Sequence, residues 1–209
     1  MDRQCIGITG GIGTGKSSVS RLLAAYCNRP LIDLDHCCRR LLDRGEPGWQ
    51  ALNSVFGPRF FDPQGRLDRS GLREALFSEP AIKREVDALL HPLARSTMHR
   101  LVREQQQELI FIEIPLLYEA GWQEELEAVI VVHADLESQC RRIVQRDGVS
   151  PAQAQAAVAS QMPLGEKVAR ADYTIDNSGP WRFSRQAVIA LARLLEKEVP
   201  PAPESPENT

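Results

Sequence analysis

CIGITGGIGTGKSSVSRLL, residues 5–23, is the stretch that decides the fold. Its opening, Cys5 to Thr9, is short, apolar and partly β-branched, as a buried strand is. Its close, from Ser17 to Leu23, sets Val19, Leu22 and Leu23 at helical spacing. The glycines between them form a strand-to-helix turn. Gly10 through Ser17 fits G-x-x-x-x-G-K-[ST] at every fixed position and has both flanks that the motif requires. Glycine reaches backbone angles that other residues resist. Successive N–H groups can therefore turn inward and, with the positive end of the following helix, make a concave anion site. The spacing predicts a nucleotide-phosphate cradle in which Lys16 reaches the β- and γ-phosphates and the Ser17 hydroxyl meets Mg²⁺.

The whole chain is compatible with that start. Its 209 residues suffice for one large α/β domain or for a core with inserted subdomains, and 43% apolar content allows a full core. A formal net charge of −3 gives no support to a nucleic-acid binder, which usually carries a basic excess. No apolar run approaches the roughly 20 residues of a membrane span. The N-terminus runs straight into a strand without a basic-then-apolar leader, so no secretory signal is expected. Cys5, Cys27, Cys37, Cys38 and Cys140 are odd in number and lack paired C-x-x-C spacing, which argues against a disulfide framework or a zinc site. Reduced thiols in a cytoplasmic protein are the expectation. His36-Cys37-Cys38 is not read as a metal site, because consecutive helical residues point in different directions.

Further strands are expected at Pro30–Ile32, Leu109–Ile114, Ala128–His133 and Tyr173–Asp176. Helical runs lie between them: GWQALNSVFG, GLREALF with Ser70 as a candidate cap, and an amphipathic stretch from Ser78 to Gln107 interrupted by Pro92. LESQCRRIVQRDG follows, then SPAQAQAAVASQM opening on Ser150-Pro151, and a last helix from Trp181 to Glu198. Five short apolar strands separated by helices predict a parallel α/β sheet with helices on both faces. The stretch from 34 to 107 is far longer than one crossover helix needs and reads as a helical insertion. Ligands of such sheets bind at the carboxyl ends of the strands.

Seven segments in order, TGGIGTGKSS, IDLDHCCRRLL, FGPRFFDPQGRLDRSGLREALFSEP, LLHPLAR, IEIPLLYEAG, QRDG and ADYTIDNSG, resemble the dephospho-coenzyme A kinase family from the first strand through Gly179. The phosphate loop alone is generic, and the middle segments carry the specificity. The resemblance implies transfer of the ATP γ-phosphoryl group to the 3′-hydroxyl of dephospho-CoA, the last step of CoA synthesis, with Mg²⁺. It implies a nucleotide-kinase-like core (1–33, 108–139 and 171–198), a helical substrate domain (34–107) and a small lid (140–170). Residues 199–209, VPPAPESPENT, are proline-rich and acidic and are expected to be a disordered tail. The expected enzyme is a monomer or small homo-oligomer that engages neither membrane nor nucleic acid.

The residues divide into roles. Gly11, Ile12, Gly13, Thr14, Gly15, Lys16, Ser17 and Ser18 are the ATP-binding loop, joined by Arg142 and Asn177. Asp33, Lys16 and Arg146 are the catalytic candidates. Asp33 and Asp35 stand at the carboxyl end of the second strand, and an alcohol kinase needs a carboxylate to orient the hydroxyl and take its proton. That role goes to Asp33, with Asp35 assisting or capping the helix that follows. Glu113, ending the third strand, is a Mg²⁺-supporting carboxylate of Walker-B type or an ordinary structural one. Arg142 and Arg146 share a helical face, which is either solvated or, as the resemblance implies, the lid's clamp on the phosphates. Asn177 and Ser178 fall in the loop where P-loop kinases meet adenine. Arg69, His91 and Arg95 are candidate contacts to the pyrophosphate of dephospho-CoA; His91 equally suits an interior histidine, and Arg69 a helix cap or a partner of Asp68. Another small-molecule kinase would share the core. A GTPase would need an N-K-x-D segment, and none follows the fourth or fifth strand.

Overall fold

The computed structural model describes residues 3–198. Five strands, β1 (Gln4–Gly10), β2 (Leu31–Asp33), β3 (Leu109–Glu113), β4 (Ala128–His133) and β5 (Tyr173–Asp176), make one parallel sheet in the order β2-β3-β1-β4-β5. β1 is central, with Ile8 opposite Glu113 on one side and Ile130 on the other. Its carboxyl end therefore opens between the ends of β3 and β4, where doubly wound sheets place their ligands. The strands fall within a residue of the stretches expected for them. β3 is buried at every position and β4 along its middle, because a sheet covered on both faces has no polar side.

Around the sheet stand α1 (Lys16–Tyr26), α6 (Leu136–Asp147), α7 (Pro151–Ala159), α8 (Leu164–Ala169) and α9 (Trp181–Glu198). Ile6, Ile8 and Phe111 of the sheet pack with Val19 and Leu23 of α1 and with Val188, Ala192 and Leu195 of α9. α6 is capped by Asp135, which accepts from the Ser138 N–H at 2.6 Å, and ends at Gly148. α7 opens on a full capping box between Ser150 and Gln153, with Pro151 in its first turn. α8 has no counterpart among the expected helices. It is a six-residue helix after Pro163, under two turns long and too brief to show a repeat.

The described chain separates into two compact units. The residues up to 32 and from 105 onward form the sheet unit, and Asp33–Glu104 forms the second. The second holds α2 (Leu34–Leu41), α3 (Pro47–Phe56), α4 (Arg69–Ser78) and α5 (Pro80–Glu104). Its own core gathers Leu52, Phe60, Phe61, Leu72, Ile82 and Val86. Trp49 meets Phe61 edge-on at 5.5 Å and donates its indole N–H to the Gly65 carbonyl at 3.1 Å. Two details depart from the sequence reading. Asp68, not Ser70, caps α4: its carboxylate accepts from the Ser70 and Gly71 N–H groups, and Ser70 lies inside the helix. α5 runs unbroken through Pro92 for 25 residues, because a proline removes one backbone donor without breaking a helix that side-chain packing holds on both sides. None of the described helices is long and apolar enough to cross a membrane. The expected tail, 199–209, lies outside the described residues.

Candidate active site

The turn after β1 is shaped by two glycines. Gly15, at the N-terminus of α1, has φ +82°, and Gly13 has φ +76°, in the left-handed region that L side chains resist. Space excludes a side chain as well. A Cβ on Gly13 would stand 2.6 Å from the Gln139 carbonyl oxygen, and one on Gly15 2.3 Å from Asn177 Nδ2. The loop is pressed onto α6 and onto the segment after β5.

Those neighbours hold the loop by its carbonyls. Arg142 donates from Nη1 to the Gly13 and Thr14 oxygens, both at 3.2 Å, and from Nη2 to the Asn177 oxygen at 2.7 Å. Asn177, buried, donates Nδ2 to the Thr14 oxygen at 2.7 Å and accepts from Ser184 Oγ at 2.8 Å. The buried Thr14 hydroxyl donates to the Gly11 oxygen at 2.8 Å. A peptide unit is planar and trans, so its C=O and N–H point opposite ways. Fixing the Thr14 carbonyl on Asn177 and Arg142 therefore turns the Gly15 N–H to the other side, as an anion-binding nest requires.

At the floor lies Glu113, at the end of β3 and 3% exposed. Its Oε1 is 2.8 Å from Lys16 Nζ and accepts from Ser17 Oγ at 2.6 Å, while Oε2 accepts from the buried Ser20 hydroxyl. Burial by itself pushes this carboxyl up. The Lys16 ammonium and the hydrogen bonds from Lys16, Ser17 and Ser20 outweigh burial and hold it below its ordinary value of 4.5. Ser17 and Glu113 also suit Mg²⁺. They are adjacent hard oxygen donors, and a nucleotide-bound Mg²⁺ takes one or two protein oxygens and fills its shell with water and phosphate. Among the described residues no three His, Cys, Asp or Glu gather into a protein-only cage.

The remaining candidates belong partly to the sheet unit and partly to the second unit. Asp33 ends β2 and caps α2, with Oδ1 accepting from the His36 N–H at 3.0 Å. The strand stops there, so Asp35 belongs to the first turn of α2 and pairs with Arg39 one turn on. Arg146 is at the surface and forks onto Asp147, with both contacts at 2.7 Å; Arg142 is the arginine bonded to the loop. In the second unit, Arg69 pairs with Asp43 at 2.9 Å rather than with Asp68. His91, half-buried, has Nε2 3.7 Å from Asp87, and Arg95 is exposed on α5. Ser178 donates to Asp176 and accepts from the Asp135 N–H, joining the ends of β5 and β4.

Two residues at the loop escaped the sequence reading. Ser20 had a signal: it sits one turn beyond Ser17, on the same face of α1. Gln161 had none. Its Oε1 accepts from the Ile12 N–H at 2.8 Å, across 149 positions of chain, and no local pattern reports such a pairing.

Residues 4–182 match the family model described as dephospho-CoA kinase, CoaE. A protein named dephospho-CoA kinase from Symbiobacterium thermophilum is 38% identical over 191 residues, 90% of this chain and 80% of that one. Among solved structures, TT1252 from Thermus thermophilus superposes with a TM-score of 0.81 at 34% identity, covering 93% of this chain and 99% of that one. A dephospho-CoA kinase from Campylobacter jejuni gives 0.64 at 26% identity, with 93% and 98% covered.

Proposed function

The chain belongs to the dephospho-CoA kinase family, and on that footing we propose how its residues share the work. The reaction moves the γ-phosphoryl group of ATP to the 3′-hydroxyl of dephospho-CoA and yields CoA and ADP, the last step of CoA biosynthesis. The observation that carries the reading is a complete phosphate loop closing on a buried carboxylate, within a chain that matches the family over residues 4–182.

The loop from Gly11 to Ser18 and the N-terminus of α1 receive the polyphosphate, through N–H groups other than those of Ile12 and Ser18, which already donate to Gln161 and Gly15. Lys16 leaves Glu113 for the β- and γ-phosphates, and Arg142 and Asn177 keep the loop carbonyls turned away. Mg²⁺, held by Ser17 with Glu113 in support, supplies neutralising charge on the phosphate oxygens when bound. Asp33 accepts the 3′-hydroxyl proton as the oxygen attacks in line; Asp33 Oδ1 is engaged with His36, which leaves Oδ2 for that work. Arg146 exchanges Asp147 for the migrating phosphoryl group. An exposed ion pair is worth at most about 1 kcal/mol, whereas a guanidinium fork on phosphate makes stronger, charge-assisted bonds. Asp35, Arg69, His91 and Arg95 serve the acceptor, 34–107 acts as the substrate domain and 140–170 as the lid. Free thiols at all five cysteines and the negative net charge support a cytoplasmic enzyme without a nucleic-acid partner, monomeric or a small homo-oligomer.

The test is coupled ADP release with dephospho-CoA, AMP and adenosine offered separately, followed by mass spectrometry of the product. Turnover confined to dephospho-CoA, with one phosphate added at the ribose 3′-oxygen, is expected. Turnover of AMP with none of dephospho-CoA would mean a nucleotide kinase instead.

A further inference from the structure

We propose that Gln161 is a positioning residue of the phosphate site, its carboxamide seated on the Ile12 amide of the loop and held there by the ion pair of the buried Lys167 with Glu119; the inference rests on the kinase reading above.

Gln161 lies in the short link between α7 and α8, within the sheet unit. Its side-chain oxygen accepts the Ile12 N–H at 2.8 Å. At the next residue, the Met162 N–H donates to Glu119 Oε1 at 3.2 Å, and that same oxygen is 2.7 Å from Lys167 Nζ. Lys167 is completely buried, which is rare for a lysine unless it is paired. Its contact with Glu119 is one of charge, since the ammonium makes no aligned hydrogen bond. Glu119 thus ties both sides of the link: Met162 just after Gln161, and Lys167 one helix further on. Leu164, at the start of α8, comes within 3.7 Å of where a Cβ on Gly11 would stand. The link is seated on the phosphate loop by polar and apolar contacts together.

The choice of a carboxamide matters chemically. One atom accepts a loop N–H, and the other, in the same plane, carries two donors. The loop is held in shape by a neutral group that adds donors and no negative charge where a polyphosphate must come. A carboxylate of the same size would grip the Ile12 N–H more strongly but would repel the nucleotide. A pure brace and a phosphate-site residue therefore respond oppositely to one isosteric change.

ATP binding is measured by calorimetry without acceptor, and turnover separately with saturating dephospho-CoA, so parent turnover tests the kinase reading independently. Gln161→Glu is expected to weaken ATP binding at least tenfold, and more than Gln161→Ala does, with the KM for dephospho-CoA and the Tm close to parental. The double variant Glu119→Gln/Lys167→Met, which leaves no buried charge unpaired, is expected to weaken ATP as Gln161→Ala does. Parental ATP affinity in Gln161→Glu would overturn the proposal, as would equal loss for both substrates together with a fall in Tm, the signature of a merely structural contact.

Discussion

Glu113 carries two duties that pH separates. Its folded-state pKa lies below the ordinary 4.5 because Lys16, Ser17 and Ser20 outweigh its burial. A depressed carboxyl contributes stability that is complete above the unfolded value and is lost as pH falls through the folded one. Urea midpoints from about pH 5 down to about pH 3 should therefore fall less steeply in Glu113→Gln than in the parent. Truncation to alanine takes the carboxylate from Lys16, whose side chain is partly exposed and keeps some hydration, and should cost up to about 3 kcal/mol. Asp33 separates chemistry from stability in another way. Asparagine caps a helix about as well as aspartate but has no basicity. Asp33→Asn should keep the parental Tm and ATP affinity and lower kcat by about 10²–10⁴, while Asp35→Asn costs less. A larger loss at Asp35 would reverse the assignment. Lys16→Ala should remove most phosphoryl transfer in a protein that still folds, as circular dichroism and single-turnover assays would show.

At the scale of elements, the loop is as much a product of α6 as of its own glycines. Gly13→Ala combines a positive φ with a Cβ 2.6 Å from the Gln139 backbone. The backbone cannot step aside as a side chain would, so this variant should lose nucleotide binding in an equilibrium titration even where its far-ultraviolet spectrum is parental. The strands were legible in the sequence because each is a compact apolar run between turn residues, and the loop because its motif is local. α7 was legible through Ser150-Pro151. α8 was not, because its six residues make fewer than two turns and cannot show a repeat, and neither was the cap of α4, where Asp68 competes with Ser70 two positions away. In the site, Glu113 could be suspected from its strand-end position. Its grip on Ser20, the clamp of Arg142 on loop carbonyls and the reach of Gln161 to Ile12 are long-range pairings, set by packing rather than by neighbours in sequence.

At the scale of the molecule, two cores in one chain predict two responses to nucleotide. A ligand at a hundred times its Kd adds about 2.7 kcal/mol to whatever unfolds with its site. Hydrogen exchange with a non-hydrolysable ATP analogue should show that gain in the slowest amides of β1 and β4. A smaller gain is expected in the helices around Leu52 and Phe61, and equal gains would mean that the chain unfolds as one body. The second unit, Asp33–Glu104, is a single uninterrupted stretch between β2 and β3. Everything that shapes the loop, Arg142, Asn177, Glu113 and Gln161 included, is encoded outside it. A genetic exchange with only two junctions, the first just after Asp33, could therefore replace the rest of this segment and leave the proposed base and the described bonded partners of the loop in place. An ancestral scaffold of this kind could change its acceptor by recombination, without re-evolving its grip on ATP.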